Sequence, residues 1–102
     1  MSRFGLYVKM IAQPGKRDEL VEILLAAASQ VKHDAGCELY VVNKVDDEPD
    51  AVWVTEIWNS EAAHQASLQN PETKALIQQG RPLIAGIETP IRLRPVGGAG
   101  IT

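Results

Sequence analysis

Four side chains in the middle of the chain are spaced so that they can meet at one site. Glu56 and Trp58 are two apart in a segment with strand-like alternation, so both face the same side. His64 and Ser67 are three apart in the helical segment that follows, so they share one helix face. A carboxylate, an indole and an imidazole that converge between a sheet and a helix suit acid–base chemistry on a bound small molecule.

The same residues allow structural roles as well. Glu56 can form an ion pair with Arg92 or Arg94 on a neighbouring strand, and His64 can be solvated near the start of its helix. The two tryptophans can be core or interface anchors, as large aromatic residues often are. Spacing alone leaves these alternatives open.

The preceding strand-like segment offers two further polar side chains, Tyr40 and Asn43. They lie on opposite faces of that segment, so at most one of them lines a given cavity. Cys37 is expected to be a small buried hydrophobic residue rather than a nucleophile.

Several kinds of site are not expected. The sequence has no glycine-rich phosphate loop and no CxxC, HExxH or GxSxG motif. His33 and Cys37 are four apart, but no further ligands are near them, and a zinc site needs three or four. We therefore expect neither a nucleotide cofactor nor a bound metal.

Composition narrows the class of protein further. The 102 residues allow one domain, and the net charge of −3 argues against nucleic-acid binding. No apolar run is long enough for a signal peptide or a membrane span, so no membrane association is expected. The single cysteine cannot form an internal disulfide, which fits a reducing compartment, and we expect a cytoplasmic protein.

Hydrophobic periodicity predicts the elements that position these residues. Alternation predicts four strands, over residues 4–12, 37–45, 51–59 and 88–96. A period of 3.6 predicts a helix over residues 16–34. The N-cap candidates Ser60 and Asn70, the latter followed by Pro71, predict two shorter helices, over residues 61–68 and 71–79. This order is typical of an α+β, ferredoxin-like split βαβ fold, with an antiparallel sheet and helices on one face. We expect one domain over residues 1–96 and a flexible glycine-rich tail over residues 97–102.

The strands carry large apolar groups on both faces. In the third strand Val54 and Trp58 point one way, while Trp53 and Ile57 point the other. The helices can cover only one face of the sheet, so the second face predicts an interface. We expect a homodimer that joins sheet to sheet.

Three segments together resemble the antibiotic biosynthesis monooxygenase (ABM) superfamily, which includes cofactor-independent quinol monooxygenases. They are Pro14-Gly15-Lys16, the segment Gly36-Cys37-Glu38-Leu39-Tyr40, and Glu56-Ile57-Trp58-Asn59-Ser60-Glu61-Ala62-Ala63. The resemblance extends over roughly residues 4–94.

The resemblance implies a dimeric α+β barrel and a monooxygenase that oxidises a small quinol or phenol with O₂ as co-substrate and without flavin, haem or metal. It further implies one pocket per subunit between sheet and helices. The expected catalytic residues are His64 and Glu56. The expected substrate-binding residues are Trp58, Ser67, Tyr40, Asn43 and Trp53.

The sequence departs from the family pattern at one position. Many members carry a histidine nine residues after the tryptophan, where this chain has Ser67. His64 lies one helical turn earlier on the same face, so we expect it to act as the base. The haem-degrading branch uses an asparagine in the first strand and a histidine in the later helix; residues 4–12 and 71–86 contain neither, so haem degradation is not expected.

Two other functions use the same fold. One is isomerisation of a small molecule by the same acid–base residues, without O₂. The other is a non-catalytic dimeric module that binds a small ligand or serves in a stress response, because fold alone does not determine function.

Overall fold

Five strands, three α-helices and a short 3₁₀ helix (Arg81–Leu83) are found in the computed structural model, which describes residues 3–101. The strands and α-helices follow in the order β1 (Phe4–Ala12), α1 (Arg17–Val31), β2 (Cys37–Lys44), β3 (Ala51–Trp58), α2 (Glu61–Ser67), α3 (Pro71–Gly80), β4 (Ile84–Ile87) and β5 (Ile91–Leu93). The predicted α+β class with an antiparallel sheet is confirmed.

The sheet has the strand order β2-β3-β1-β4, and β5 also pairs with β1. All pairings are antiparallel, and β2 and β3 form a hairpin. The register sets Tyr40 of β2 and Leu6 of β1 on either side of Glu56 in β3. Glu56 therefore lies on a central strand with a neighbour on each side.

The core lies between one face of this sheet and the helices. Val52 and Val54 of β3 are fully buried and pack with Leu20 and Leu24 of α1. Burying a side chain of this size contributes about 1.5–3 kcal/mol. A second cluster joins Phe4, Val31 and Trp58 at the other end of the sheet.

Both short helices begin as their sequences predict. The Ser60 hydroxyl accepts a hydrogen bond from the Ala63 amide, at 3.1 Å, and the Asn70 side chain accepts one from the Glu72 amide, at 2.8 Å. Pro71 occupies the first turn of α3. These caps satisfy amides that have no partner inside the helix.

The first helix ends three residues before the predicted limit, at Val31. After Lys32 the backbone bonds become shorter-range: the His33 amide bonds to Gln30 and the Asp34 amide to Val31. Lys32 and His33 therefore lie beyond the helix, whose last turn contains no basic residue.

The predicted fourth strand, residues 88–96, is wrong in extent. Only Ile91–Leu93 is a strand there, and Ile84–Ile87, which lies before the predicted range, forms a strand of its own. Both pair with β1, at opposite ends of one edge. Pro90 lies in the break between them, where it cannot donate a backbone hydrogen bond.

The limits of the predicted domain and tail, residues 1–96 and 97–102, stay predictions. Residues 1, 2 and 102 lie outside the described part of the chain. Within residues 3–101, no helix is both long and apolar enough to cross a membrane.

A close approach at Gly36 positions α2 against the sheet. The Gly36 carbonyl accepts a hydrogen bond from the Asn59 amide at 2.8 Å, and a Cβ added at Gly36 would overlap the Cβ of Ala63 in α2. We expect Gly36→Ala to lower the free energy of unfolding by about 1–3 kcal/mol, as overpacking does.

Urea denaturation measures this effect, with Gly86→Ala as the matched control. A Cβ at Gly86 would meet nothing within 4 Å, so its change should stay within about 0.5 kcal/mol. Equal stability of the two variants would contradict the close packing of α2.

Candidate active site

A cavity of about 250 Å³ lies between the sheet and the helices. Apolar side chains form most of its wall, among them Met10, Leu24, Leu68, Leu76, Ile84 and Ile87. The polar or ionisable residues of the wall are Tyr40, Glu56, Trp58, His64, Ser67, Thr73 and Arg81. An apolar pocket with a few polar groups is typical of small-molecule sites, and its size suits a ligand of one or two rings.

The Glu56 carboxyl is buried in this wall and held by one neighbour on its own strand. Oε1 of Glu56 accepts a hydrogen bond from the Trp58 indole at 3.0 Å. Strand alternation brings both side chains to the cavity, since they are two residues apart. The alternative of an arginine partner is wrong: Arg92 pairs with Glu61, and no ion pair within residues 3–101 joins Glu56 to Arg94.

Burial raises the pKa of Glu56 above its usual 4.5, and the indole hydrogen bond opposes that rise. The folded chain therefore holds this proton to a higher pH than the unfolded chain does. Protonated Glu56 therefore adds to the free energy of unfolding below about pH 4.5. This contribution is lost as the pH rises through the pKa that Glu56 has in the folded protein.

His64 reaches the same wall from α2. Its Nε2 lies 3.8 Å from Oε1 of Glu56, too far for a hydrogen bond but close enough for charge to matter. Its ring packs at 5.2 Å from the ring of Phe4 and, edge-on, at 5.6 Å from that of Trp58. The side chain is 13% exposed, so the alternative of a solvated histidine is wrong.

Three influences act on the charge of His64. Burial lowers its pKa below 6.5, Glu61 raises it, and Arg92 lowers it, with a net decrease. The imidazole is therefore neutral at pH 7, the form that can accept a proton. The neutral His64 ring adds to the free energy of unfolding above pH 6.5. This contribution is lost as the pH falls through the lower pKa that His64 has in the folded protein.

Ser67 and Tyr40 complete the group that the structure brings together. Ser67 is buried, and its hydroxyl donates a hydrogen bond of 2.6 Å to the backbone carbonyl of His64. Tyr40 lies opposite Glu56 in the strand register, and burial together with the Glu56 charge raises its pKa. The Tyr40 phenol thus stays protonated and remains a hydrogen-bond donor.

Two of the predicted substrate-binding residues, Trp53 and Asn43, lie on the other side of the sheet. Trp53 packs against Tyr7, with ring centroids 4.4 Å apart. The Asn43 side chain donates a hydrogen bond to the Trp53 carbonyl at 3.1 Å. Neither lines the cavity, because odd and even positions of a strand point to opposite faces.

The sequence reasoning missed the contribution of α3 to the cavity. Thr73, Leu76, Ile77 and Gly80 all line it, at the spacing i, i+3, i+4 and i+7 of one helix face. That spacing was the available signal, and it would have included Thr73, whose hydroxyl is buried with no hydrogen-bond partner in the described part of the chain.

Metal ligands do not cluster in the part of the chain that the structure describes. No group of three or more His, Cys, Asp or Glu residues is arranged there to hold an ion.

Replacing Trp58 tests the hydrogen bond to Glu56. We expect Trp58→Phe to raise the pKa of Glu56, because the indole donor is what opposes the effect of burial. NMR titration of the Glu56 carboxyl carbon measures the pKa in each variant. Trp53→Phe, on the other face of the sheet, is the control and should leave it unchanged. A Glu56 pKa that is equal in both variants would refute the role of the indole.

Comparison with known proteins identifies the family. A family model described as antibiotic biosynthesis monooxygenase matches residues 3–79. A solved structure from Chloroflexus aurantiacus J-10-fl, described as a candidate antibiotic biosynthesis monooxygenase, is 46% identical with a TM-score of 0.91, covering 99% of this chain and 100% of that one. No curated protein matches the chain.

More distant structures share the fold alone. One from Caulobacter crescentus CB15, described in the same words, is 23% identical with a TM-score of 0.81, covering 95% of this chain and 91% of that one. A conserved protein from Methanosarcina mazei Go1 is 17% identical with a TM-score of 0.82, covering 92% and 93%. The family match and the names of its relatives support a general monooxygenase-like function. The chain belongs to the antibiotic biosynthesis monooxygenase family.

Proposed function

We propose that this protein is a cofactor-independent monooxygenase that oxidises a small quinol or phenol with O₂. The observation that carries the proposal is the neutral His64 imidazole beside the buried Glu56 carboxyl in an apolar cavity. Such a pair can take up and return a proton where water is excluded.

The reaction balances without a further oxidant. The substrate hydroxyl loses its proton, and the phenolate passes one electron to O₂; the resulting radicals combine to form a C–O bond. The peroxide anion takes a proton, the carbon-bound proton leaves, and the O–O bond breaks. For a quinol the products are a hydroxyquinone and water, with one oxygen atom of O₂ in each.

His64 is the base in this scheme. Neither ring nitrogen is held by a hydrogen bond among the described residues: Nδ1 is buried without a partner, and Nε2 lies 3.8 Å from Oε1 of Glu56. The Glu56 carboxylate, 3.8 Å from Nε2, stabilises the positive charge that the ring acquires. The same imidazolium then returns the proton to the peroxide.

The cavity orients the aromatic ring of the substrate. Trp58 and the aliphatic side chains around it offer apolar contacts, and Tyr40 offers a donor to a substrate oxygen. Because the cavity holds the substrate ring next to the base, proton transfer takes place within one complex and needs no bimolecular encounter. Such positioning supplies much of an enzyme's rate acceleration.

The same acid–base pair is also consistent with an isomerase, which would move a proton between carbon and oxygen without O₂. Oxygen uptake with a panel of quinols and phenols separates the two functions. A monooxygenase consumes O₂ and places one atom of ¹⁸O₂ in the product and one in water. Product formation without O₂ favours the isomerase, and binding with no reaction favours a ligand-binding module.

Substitution of His64 tests the assignment of the base. We expect His64→Ala to lower kcat at least tenfold, since loss of a general base typically lowers the rate by about 10²–10⁴-fold. Exposed His33 provides the control, since His33→Ala removes an imidazole outside the cavity. In the wild type, kcat/KM should fall as the pH drops through a pKa below 6.5, because the protonated ring cannot accept a proton. Turnover that survives in His64→Ala would assign the base to Glu56 or to the acidity of the substrate.

We further propose that the protein is a homodimer, joined through the sheet face that the helices leave uncovered. This open face carries Tyr7, Trp53, Val41, Ile91 and Leu93, of which Val41 is 41% exposed. Apolar side chains grouped on one face are typical of interfaces.

A charge on the open face should separate the subunits. We expect the wild type to have twice the chain mass of 11.1 kDa by light scattering, and Val41→Lys to have the monomer mass at micromolar concentration. Leu25→Lys is the matched control, because Leu25 is 46% exposed on α1, away from the sheet. A monomeric wild type, or a Val41→Lys variant that stays dimeric, would contradict this interface.

The proposal includes a cytoplasmic location. Cys37 is the chain's single cysteine and a free thiol, which suits a reducing compartment. Burial raises its pKa, which keeps the thiol protonated and unreactive.

A further inference from the structure

Two buried polar side-chain atoms have no hydrogen-bond partner within residues 3–101: Nδ1 of His64 and Oγ1 of Thr73. Both residues belong to the wall of the same apolar cavity. A buried polar atom without a partner is costly, and native structures contain few of them. Both atoms are closed off from solvent, so an occupant of the cavity can supply the missing partner only once the side chain turns toward it.

Three other polar side chains of the wall are engaged in hydrogen bonds: Trp58, Glu56 and Ser67. The Trp58 indole donates to Glu56, and the Ser67 hydroxyl donates to the carbonyl of His64. Thr73, which is 6% exposed, differs from them because its hydroxyl is held by no bond. Rotation of the Thr73 side chain about χ1 can therefore bring its hydroxyl to the cavity in place of its methyl group. This rotation breaks no hydrogen bond.

We propose that Thr73 hydrogen-bonds a second oxygen of the substrate while His64 acts on the first. The site then selects aromatic molecules with two oxygen substituents, such as quinols, over phenols with one. This inference rests on the proposed function and narrows its substrate class. Thr73 is a specificity-determining residue in it and takes no part in the proton transfer.

The geometry of the elements supports this division of roles. His64 is on α2 and Thr73 is in the first turn of α3, so the two polar groups come from different helices. Leu68, in the turn between these helices, also lines the cavity. A ligand bound to both helices would thus be oriented at two points rather than one.

Binding under anaerobic conditions tests the inference without requiring turnover. The probes are 1,4-dihydroxynaphthalene and 1-naphthol, which differ by one hydroxyl. We expect wild-type protein to prefer the diol about five- to tenfold, as one net hydrogen bond provides. Thr73→Val should abolish that preference, because it weakens binding of the diol and leaves binding of 1-naphthol unchanged. Thr73→Ser, which keeps the hydroxyl, should retain the preference.

Thermal stability provides a second readout. Valine removes the unpartnered hydroxyl and keeps the shape of the side chain, so Thr73→Val without ligand should raise Tm by a few degrees. Thr89→Val, at an exposed position between β4 and β5, is the control and should change neither Tm nor the preference.

The outcomes separate this inference from the proposed function. If neither probe nor any other phenol binds the wild type, the proposed function fails and the inference fails with it. If the diol binds and is oxidised but Thr73→Val keeps the wild-type preference, the inference alone is overturned. A lower Tm in Thr73→Val would likewise contradict it, because the hydroxyl would then be satisfied in the unliganded protein.

Discussion

The hydrogen bond from the Trp58 indole to the Glu56 carboxyl is the interaction on which the site depends. A carboxyl group on a central strand, facing an apolar cavity, is costly unless it keeps its proton or finds a donor. The indole is such a donor, and β-strand spacing delivers it from two residues away. Trp58 is itself 1% exposed, packed against Phe4 and Val31, so its position is set by the core.

The same burial brings two proton-binding groups closer in pKa. It raises the pKa of Glu56 and lowers that of His64, because in each case the charged form is the one that loses solvation. A carboxyl and an imidazole whose ordinary values differ by about two units thus approach each other. A proton shared near such a pair can move at smaller cost than it could between the same groups in water.

The fold supplies this environment by dividing the sheet into two unlike faces. The helices cover Val52, Val54, Glu56 and Trp58 and enclose the cavity, while Trp53 and its neighbours remain on the open face. One strand therefore serves both the site and the proposed interface. A substitution at an odd position of β3 should consequently affect association, and one at an even position the core or the cavity.

Residue order by itself determined the elements and much of the site. Alternation in residues 51–58 paired Glu56 with Trp58, and helical spacing paired His64 with Ser67, because these are local regularities of backbone geometry. The division of the last strand at Pro90 and the burial of the Thr73 hydroxyl depended on contacts between distant segments. The partners of Glu56 and Arg92, and the burial that shifts the pKa of His64, also arise only when α2, β3 and β5 pack together. Local periodicity carries no information on such contacts, so only the tertiary structure decided them.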